Sequence, residues 1–252
     1  MIHNILWTGG WDSTFRVLDV VLNKQETVQP FYVLDRRRKS TAMELKTMEQ
    51  IKAMMQQSDP EAGKHIRETI TIERTGIPVH DEITRQYHEL ASRAHLGDQH
   101  DWLARYTEFL KLDDLELSIH EDDNVMNFIK HDVVLKERDN DSYYQMTDSL
   151  SDTALKLFSR YRFPLLHMTK LDMGAAAEKS GFRHMMEQTW FCHNPTKGGR
   201  ACGLCNPCQY TREEGLGRRV PVPNAADKAK FMMWQGYKRG IGKFKRLVEA
   251  NR

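Results

Sequence analysis

The chain has 252 residues, of which 40% are hydrophobic and 29% charged, with a formal net charge of +2. That suits a soluble enzyme with one sizeable α/β domain, or such a domain and an appendage, and the near-neutral charge argues neither for nor against a polyanionic partner. No window approaches the roughly 18 apolar residues of a membrane span, and Ile2 to Trp7 is too short for a signal-peptide core, so a cytoplasmic setting without a membrane partner is expected.

The first element is a short apolar run, Ile2 to Trp7, which reads as a buried strand. Thr8, Gly9, Gly10, Trp11, Asp12, Ser13 and Thr14 follow, and then Phe15, Val17, Leu18, Val20, Val21 and Leu22 at helical spacing. Strand, glycine turn with hydroxyls, and helix make an anion nest. Turn and first-turn amides converge on one spot, the helix dipole favours a phosphate there, and glycine lets the backbone approach. The bland alternative is a tight turn and nothing more. The spacing fits neither the Walker loop, which needs a lysine, nor the three-glycine dinucleotide fingerprint.

Val28 to Leu34 reads as a second strand, followed by the basic run Arg36-Arg37-Arg38-Lys39 and an amphipathic helix carrying Met43, Leu45, Met48, Ile51 and Met54. His65 to Arg74 alternates as a third strand, 83–94 and 102–112 read as helices, and Leu115 to Ile119 as a fourth strand. Strands alternating with helices imply an open, mostly parallel sheet with helices on both faces. The charged stretch 121–147 reads as loops around a helical run over 125–134, with Asp122, Asp123, Asp139 and Asp141 solvated and His120 and His131 on the surface. A helix is expected over 148–158. Thr169 and Asp172 make a capping box for a helix over 171–179 that stops at Gly181. Residues 228–252 read as a basic amphipathic helix, or two, with Phe231, Met232, Trp234, Tyr237 and Ile241 on one side. Residues 1–180 are expected to form the nucleotide-binding domain, and 181–252 a zinc-binding helical region packed on it.

All four cysteines, Cys192, Cys202, Cys205 and Cys208, lie in this last region. Thiols that staple distant segments would be scattered; four packed closely, with two overlapping C-x-x-C knuckles, suit a structural Zn²⁺ held by four thiolates. An iron–sulfur cluster is the competing occupant.

The loop resembles the SGGxDS/T pyrophosphate loop of the ATP-pyrophosphatase (PP-loop) superfamily, with Thr8 in place of serine and Trp11 in place of the usual glutamine. Together with the cysteine quartet it resembles the 7-cyano-7-deazaguanine synthase (QueC) family. Pro164-Leu165-Leu166-His167-Met168-Thr169-Lys170 is similar to that family's P-L-x-x-L-T-K, Thr189-Trp190-Phe191-Cys192 to its T-W-S-C, and Cys202-Gly203-x-Cys205-x-x-Cys208 to its C-G-x-C-x-x-C. The family's Y-G-Q-R-H after the second strand is replaced by Val33-Leu34-Asp35-Arg36-Arg37, and its substrate-side D-Y-S-G-Y-x-D-C-R has no counterpart in 121–144.

The resemblance implies an adenine nucleotide alpha-hydrolase-like fold, ATP with Mg²⁺ and structural Zn²⁺. It implies an ATP-dependent ligase that adenylates 7-carboxy-7-deazaguanine and reacts it with ammonia to give the nitrile, AMP and pyrophosphate. Divergent relatives in antiphage systems that use another carboxylate or amine fall within the same resemblance. Candidate catalytic groups at the strand C-terminal ends are Arg36, Arg38, Gln99 and Lys170. Residue 2 is isoleucine, so no N-terminal glutaminase cysteine is present and free ammonia or an amine is the expected nitrogen source. A homodimer is the expected assembly. Two alternatives stay open. A tRNA-modifying PP-loop enzyme of the thiolating kind would need a thiol beyond the zinc ligands. A zinc-containing nucleic-acid-binding module would rest on the knuckle and the tail's Lys238, Arg239, Lys243, Lys245 and Arg246, against which the near-neutral charge and the lack of aromatic–basic alternation speak.

Overall fold

The structure is a computed structural model that describes residues 1–229 and 231–233. The basic helix expected over 228–252 lies largely outside the described residues. The chain divides into two compact units, residues 1–190 and 191–252.

The first unit is built on a five-stranded parallel sheet in the order β3-β2-β1-β4-β7. Its strands are β1 (Ile2–Leu6), β2 (Thr27–Leu34), β3 (Ile70–Glu73), β4 (Leu115–Glu116) and β7 (Tyr161–Arg162). The helices are α1 (Trp11–Leu18), which runs on through a wider turn to Asn23, α2 (Thr41–Ser58), the single turn α3 (Pro60–Gly63), α4 (Asp81–Arg93), α5 (Gln99–Leu110), the single turn α6 (Met126–Ile129), α7 (Lys170–Lys179) and α8 (Arg183–Met186). Neighbouring residues of β2 show why both faces are covered. Side chains alternate along a strand, and the Tyr32 hydroxyl donates to Glu44 of α2 at 2.8 Å while the Phe31 ring meets Tyr106 of α5, centroids 6.4 Å apart.

Strand order sets the position of a ligand site. The chain runs from β1 to β2 to β3 in one direction, then returns to the other side of β1 for β4 and β7. The reversal puts a crevice between the C-terminal ends of β1 and β4, where open α/β sheets bind ligands. The glycine loop of residues 8–14 lies at that end of β1.

Several expected elements differ. Residues 133–146 form an antiparallel hairpin, β5 (Val133–Arg138) with β6 (Asp141–Met146), closed by Asp139 in the left-handed region and Asn140. Tyr144 bridges to Phe163 just past β7, so the hairpin hooks onto the sheet edge there. The helix expected over 148–158 is a 3₁₀ stretch, Thr153–Phe158, with Asp152 accepting from the Ala154 amide. The third strand pairs over only four residues. The capping box at Thr169 and Asp172 is formed on both sides.

The second unit contains α9 (Asn206–Thr211) and the cysteine knuckles, fastened by Arg212, which donates to the carbonyls of Gly203 and Pro221. No helix among the described residues is long and apolar enough to cross a membrane.

Candidate active site

Trp7 fixes the base of the loop. It is fully buried, its amide donates to Phe31 O at 2.9 Å, and its indole donates to the Thr14 hydroxyl at 3.0 Å. Thr14 is therefore a buried strut, and Thr8 and Ser13 are the hydroxyls nearer the surface, with the Thr8 amide donating to Ser13 Oγ at 3.4 Å. Gly9 has φ +69°, and a Cβ there would lie 3.0 Å from Glu44 O and 3.2 Å from the Thr47 side chain. Only glycine gives both that conformation and that closeness. Gly9 O accepts from the Trp190 amide at 2.8 Å, so the Thr-Trp lead-in to the first cysteine holds the loop by its backbone. Gly10 is the N-cap of α1 and supplies no side chain, which leaves the first-turn amides without a side-chain cap.

Asp12 does not cap the helix. Its Oδ2 lies 3.7 Å from Lys170 Nζ, and its Oδ1 is buried without a hydrogen-bond partner. Trp11, only 4% exposed, donates from its indole to Lys170 O at 3.2 Å, and the Arg183 guanidinium lies over its ring at 5.3 Å. Trp11 thus ties the start of α7 to the loop and sets Lys170 against Asp12. Arg38 reaches the back of the loop through Glu44, a buried carboxylate that also accepts from Tyr32 and from Ser40 at 2.7 Å. Arg36 is exposed and paired with Glu73, and Gln99 is exposed at the head of α5 with its amide against Gly97. Among the described residues no hydrogen bond or ion pair joins Arg36 or Gln99 to the loop.

Across the crevice, the chain leaving β4 carries Ser118, whose hydroxyl is buried without a partner, and His120, only 5% exposed. His120 is not the surface histidine that the charged sequence around it suggests; its Nδ1 accepts from the Asp122 amide at 3.3 Å. The Glu121 amide donates to Met168 O at 3.1 Å, joining the loops after β4 and β7. There His167 Nδ1 lies 3.1 Å from Glu121 Oε2, and its ring meets Tyr144 edge-on, centroids 4.8 Å apart.

Below the crevice sits a buried ion cluster that local sequence does not announce. Arg16 of α1, 2% exposed, donates to Glu116 of β4 at 2.7 and 3.1 Å and to both carboxylate oxygens of Asp141 in the hairpin, at 3.0 and 2.5 Å. His3 of β1 bridges Glu116 at 2.7 Å and Glu26 at 2.6 Å. Burial alone would raise the Glu116 carboxyl, but the Arg16 charge and the hydrogen bonds from His3 and Arg16 hold it below the usual range; Asp141 is lowered in the same way by Arg16 and Lys24. His3 is raised, because the hydrogen bond and charge of Glu116 outweigh its burial. Asp141 is therefore paired, where the sequence suggested a solvated loop.

In the second unit the four sulfurs lie within 4.8 Å of one another. The sulfurs are 3.8 Å apart for Cys192–Cys205, 3.9 Å for Cys202–Cys208 and 3.4 Å for Cys205–Cys208. Four sulfurs about 2.3 Å from one tetrahedral ion would be about 3.8 Å apart. The amides of Leu204 and Cys205 point at Cys202 Sγ, at 3.4 and 3.3 Å, and the Cys202 amide at Cys192 Sγ, at 3.2 Å, which is the donor set thiolates need. Hydrogen bonding among the clustered sulfurs lowers the Cys205 thiol and raises that of Cys192. The arrangement fits one closed four-thiolate metal ion, with no ligand position left for chemistry.

The family profile for queuosine biosynthesis protein QueC matches residues 138–219, a segment that includes β6, Lys170 and all four cysteines. Over this segment the chain is QueC-like. Among curated proteins, the 7-cyano-7-deazaguanine synthase 1 of Sphingopyxis alaskensis is 42% identical over 50 residues, 20% of this chain and 21% of that protein. The 7-cyano-7-deazaguanine synthase of Rhizorhabdus wittichii is 44% identical over 53 residues, 21% of this chain and 22% of that protein. The match to each relative thus spans about a fifth of its length. The loop at residues 8–14 lies outside the profile match, so its reading rests on geometry.

Proposed function

We propose that this QueC-like chain is an ATP-dependent ligase that adenylates a carboxylate and joins it to a nitrogen nucleophile, with 7-carboxy-7-deazaguanine as the carboxylate and the nitrile as product. The observation that carries the reading is the glycine loop at the β1/β4 crevice with Lys170 and Asp12 set against it, in a chain that also holds the QueC cysteine quartet.

A carboxylate oxygen attacks the α-phosphorus of ATP, and the bond to the β-phosphate bridging oxygen breaks to release pyrophosphate. The loop's task is to hold that leaving group: the uncapped amides at the start of α1 and the Thr8 and Ser13 hydroxyls donate to its oxygens, and Lys170 adds a positive charge at the rim. Asp12 Oδ1, buried and without a hydrogen-bond partner, is the protein oxygen that would help hold Mg²⁺, which would supply further charge neutralisation. The acyl-adenylate then meets ammonia or an amine, AMP leaves, and an amide remains. A second adenylation on the amide oxygen, followed by loss of AMP and a proton, gives the nitrile. Zn²⁺ held by the four cysteines would have a structural part only.

The test is one incubation with 7-carboxy-7-deazaguanine, ATP, Mg²⁺ and ammonia, read by mass spectrometry. The nitrile, AMP and pyrophosphate are expected. Formation of ADP alone refutes the pyrophosphate-loop reading, and AMP only with another carboxylate refutes the substrate. The hairpin that stands where the family's substrate-side motif is lost favours a second reading, the same adenylation with a different carboxylate or amine.

A further inference from the structure

Amide formation from an acyl-adenylate has a requirement that the phosphate loop does not meet. When an amine attacks the acyl carbon, its nitrogen becomes cationic and must lose a proton before the amide is stable. Lys170 is a cation set against Asp12, and the loop hydroxyls and amides are donors aimed at phosphate oxygen. A proton acceptor has to come from another part of the rim.

His167 has the chemistry and the placement. It lies in the loop after β7, three residues before Lys170, whose main chain is tied to the phosphate loop through Trp11. Three residues span at most about 10 Å, which keeps His167 on the loop that carries Lys170 into the crevice. Glu121 comes from the loop after β4, on the other strand of that edge, and its carboxylate meets His167 Nδ1 at 3.1 Å. A carboxylate on Nδ1 selects the tautomer with its proton there and leaves Nε2 as the acceptor. The Glu121 amide bonded to Met168 O ties the two loops together, and the Tyr144 ring edge-on to the imidazole holds the pair from the hairpin. Both side chains remain about half exposed, 55% for His167 and 47% for Glu121, as an acceptor that returns its proton to solvent requires. His167 fills an unspecified position of the P-L-x-x-L-T-K segment, and Glu121 lies outside the motifs that carry the family resemblance.

We propose that His167 is the general base of the nitrogen-transfer step, with Glu121 as its positioning residue; this rests on the adenylating function proposed above. The new C–N bond forms from the amine lone pair, His167 Nε2 accepts the N–H proton, the carbonyl re-forms and the C–O bond to AMP breaks. The two half-reactions separate this inference from the reading beneath it. Carboxylate-dependent exchange of labelled pyrophosphate into ATP reports adenylation, and amide plus nitrile formation with ammonia reports nitrogen transfer. With 7-carboxy-7-deazaguanine as the probe, His167→Gln should exchange pyrophosphate at the wild-type rate while ammonia-dependent product falls about a hundredfold or more at neutral pH. Hydroxylamine, a strong nucleophile that is uncharged at neutral pH, should still yield hydroxamate with the variant. Glu121→Gln should show the same split with a smaller loss. Equal loss of exchange and product, retention of the ammonia reaction, or failure of hydroxylamine to rescue would each overturn the assignment. Absence of exchange in the wild type would instead bring down the adenylating function, and this inference with it.

Discussion

Replacing Arg16 with methionine should be among the most damaging single changes outside the loop. Arg16 is the cation between two carboxylates on separate elements, Glu116 with a side chain 1% exposed and Asp141 at 8%. Methionine fills much of the volume but leaves both carboxylates facing each other, with His3 still on Glu116 and Lys24 Nζ still 3.2 Å from Asp141. Removing one partner of a buried ion pair costs about 3–5 kcal/mol, a large part of the roughly 5–15 kcal/mol that holds a domain together. The loss should depend on pH. In the wild type Glu116 and Asp141 have depressed folded-state values, so their contribution is present above the unfolded carboxylate range and disappears as pH falls through the folded values. Without Arg16 the carboxyls rise instead, and protonating them relieves the variant. The penalty should therefore be largest at pH 7 and shrink toward pH 5. His3 acts in the opposite sense: raised in the folded state, it stabilises below its unfolded value and loses that effect as pH climbs through the folded one. Urea unfolding followed by circular dichroism at both pH values measures the difference, with unchanged slope and shifted midpoint. Arg16→Met with Glu116→Gln should cost less than the two separate losses combined. A penalty below about 1 kcal/mol, the worth of an exposed pair, or one equal at both pH values would refute the picture of a buried, mutually charged cluster.

Gly9→Ala should lose about 1–2 kcal/mol of stability from its left-handed backbone alone, and the contact with Glu44 O should push the loop off its position; ATP titration by calorimetry should find weaker binding, and wild-type affinity would refute the loop geometry. Protein purified without chelator should carry about one zinc per chain by elemental analysis, and Cys205→Ser should carry none, since it removes a sulfur that neighbours both Cys192 and Cys208. Lys170→Met should lower AMP formation about a hundredfold or more with an unchanged circular dichroism spectrum, and AMP formation within a few-fold of wild type would remove Lys170 from the site.

The parts of the molecule legible in the sequence are those whose partners are near neighbours along the chain. The phosphate loop is strand, glycines and helix within about twenty residues, and the cysteine knuckles and the Thr169–Asp172 box are likewise local. The apolar periods of 41–58 and 81–93 mark α2 and α4 with small errors at the ends. The missed parts depend on partners far away. Arg16 sits on a helix otherwise buried by apolar residues, and its two carboxylates lie 100 and 125 positions later. Without that cation Asp141 has no reason to be buried, so a charged stretch reads as solvated loop. β7 pairs over only two residues, too few for a period. The hairpin did leave one local trace, Asp139-Asn140 between two runs of strand-forming residues, the kind of pair that tolerates positive φ at a two-residue turn.

Under the proposed function, the substrate chemistry divides along the same line. Holding a phosphate needs backbone amides in sequence order, which one contiguous motif can encode. Choosing a carboxylate and shedding a proton from its nitrogen partner need side chains brought from different strands. His167 and Glu121 are 46 positions apart, Tyr144 comes from the hairpin, and Ser118 and His120 come from the far side of the crevice. Divergence in this set changes no motif and leaves the loop and cysteines intact. Under the proposed function, a chain of this build can therefore keep its loop and cysteines while its acceptor changes, and residues 118–121, 144 and 167 are where such a change would be written.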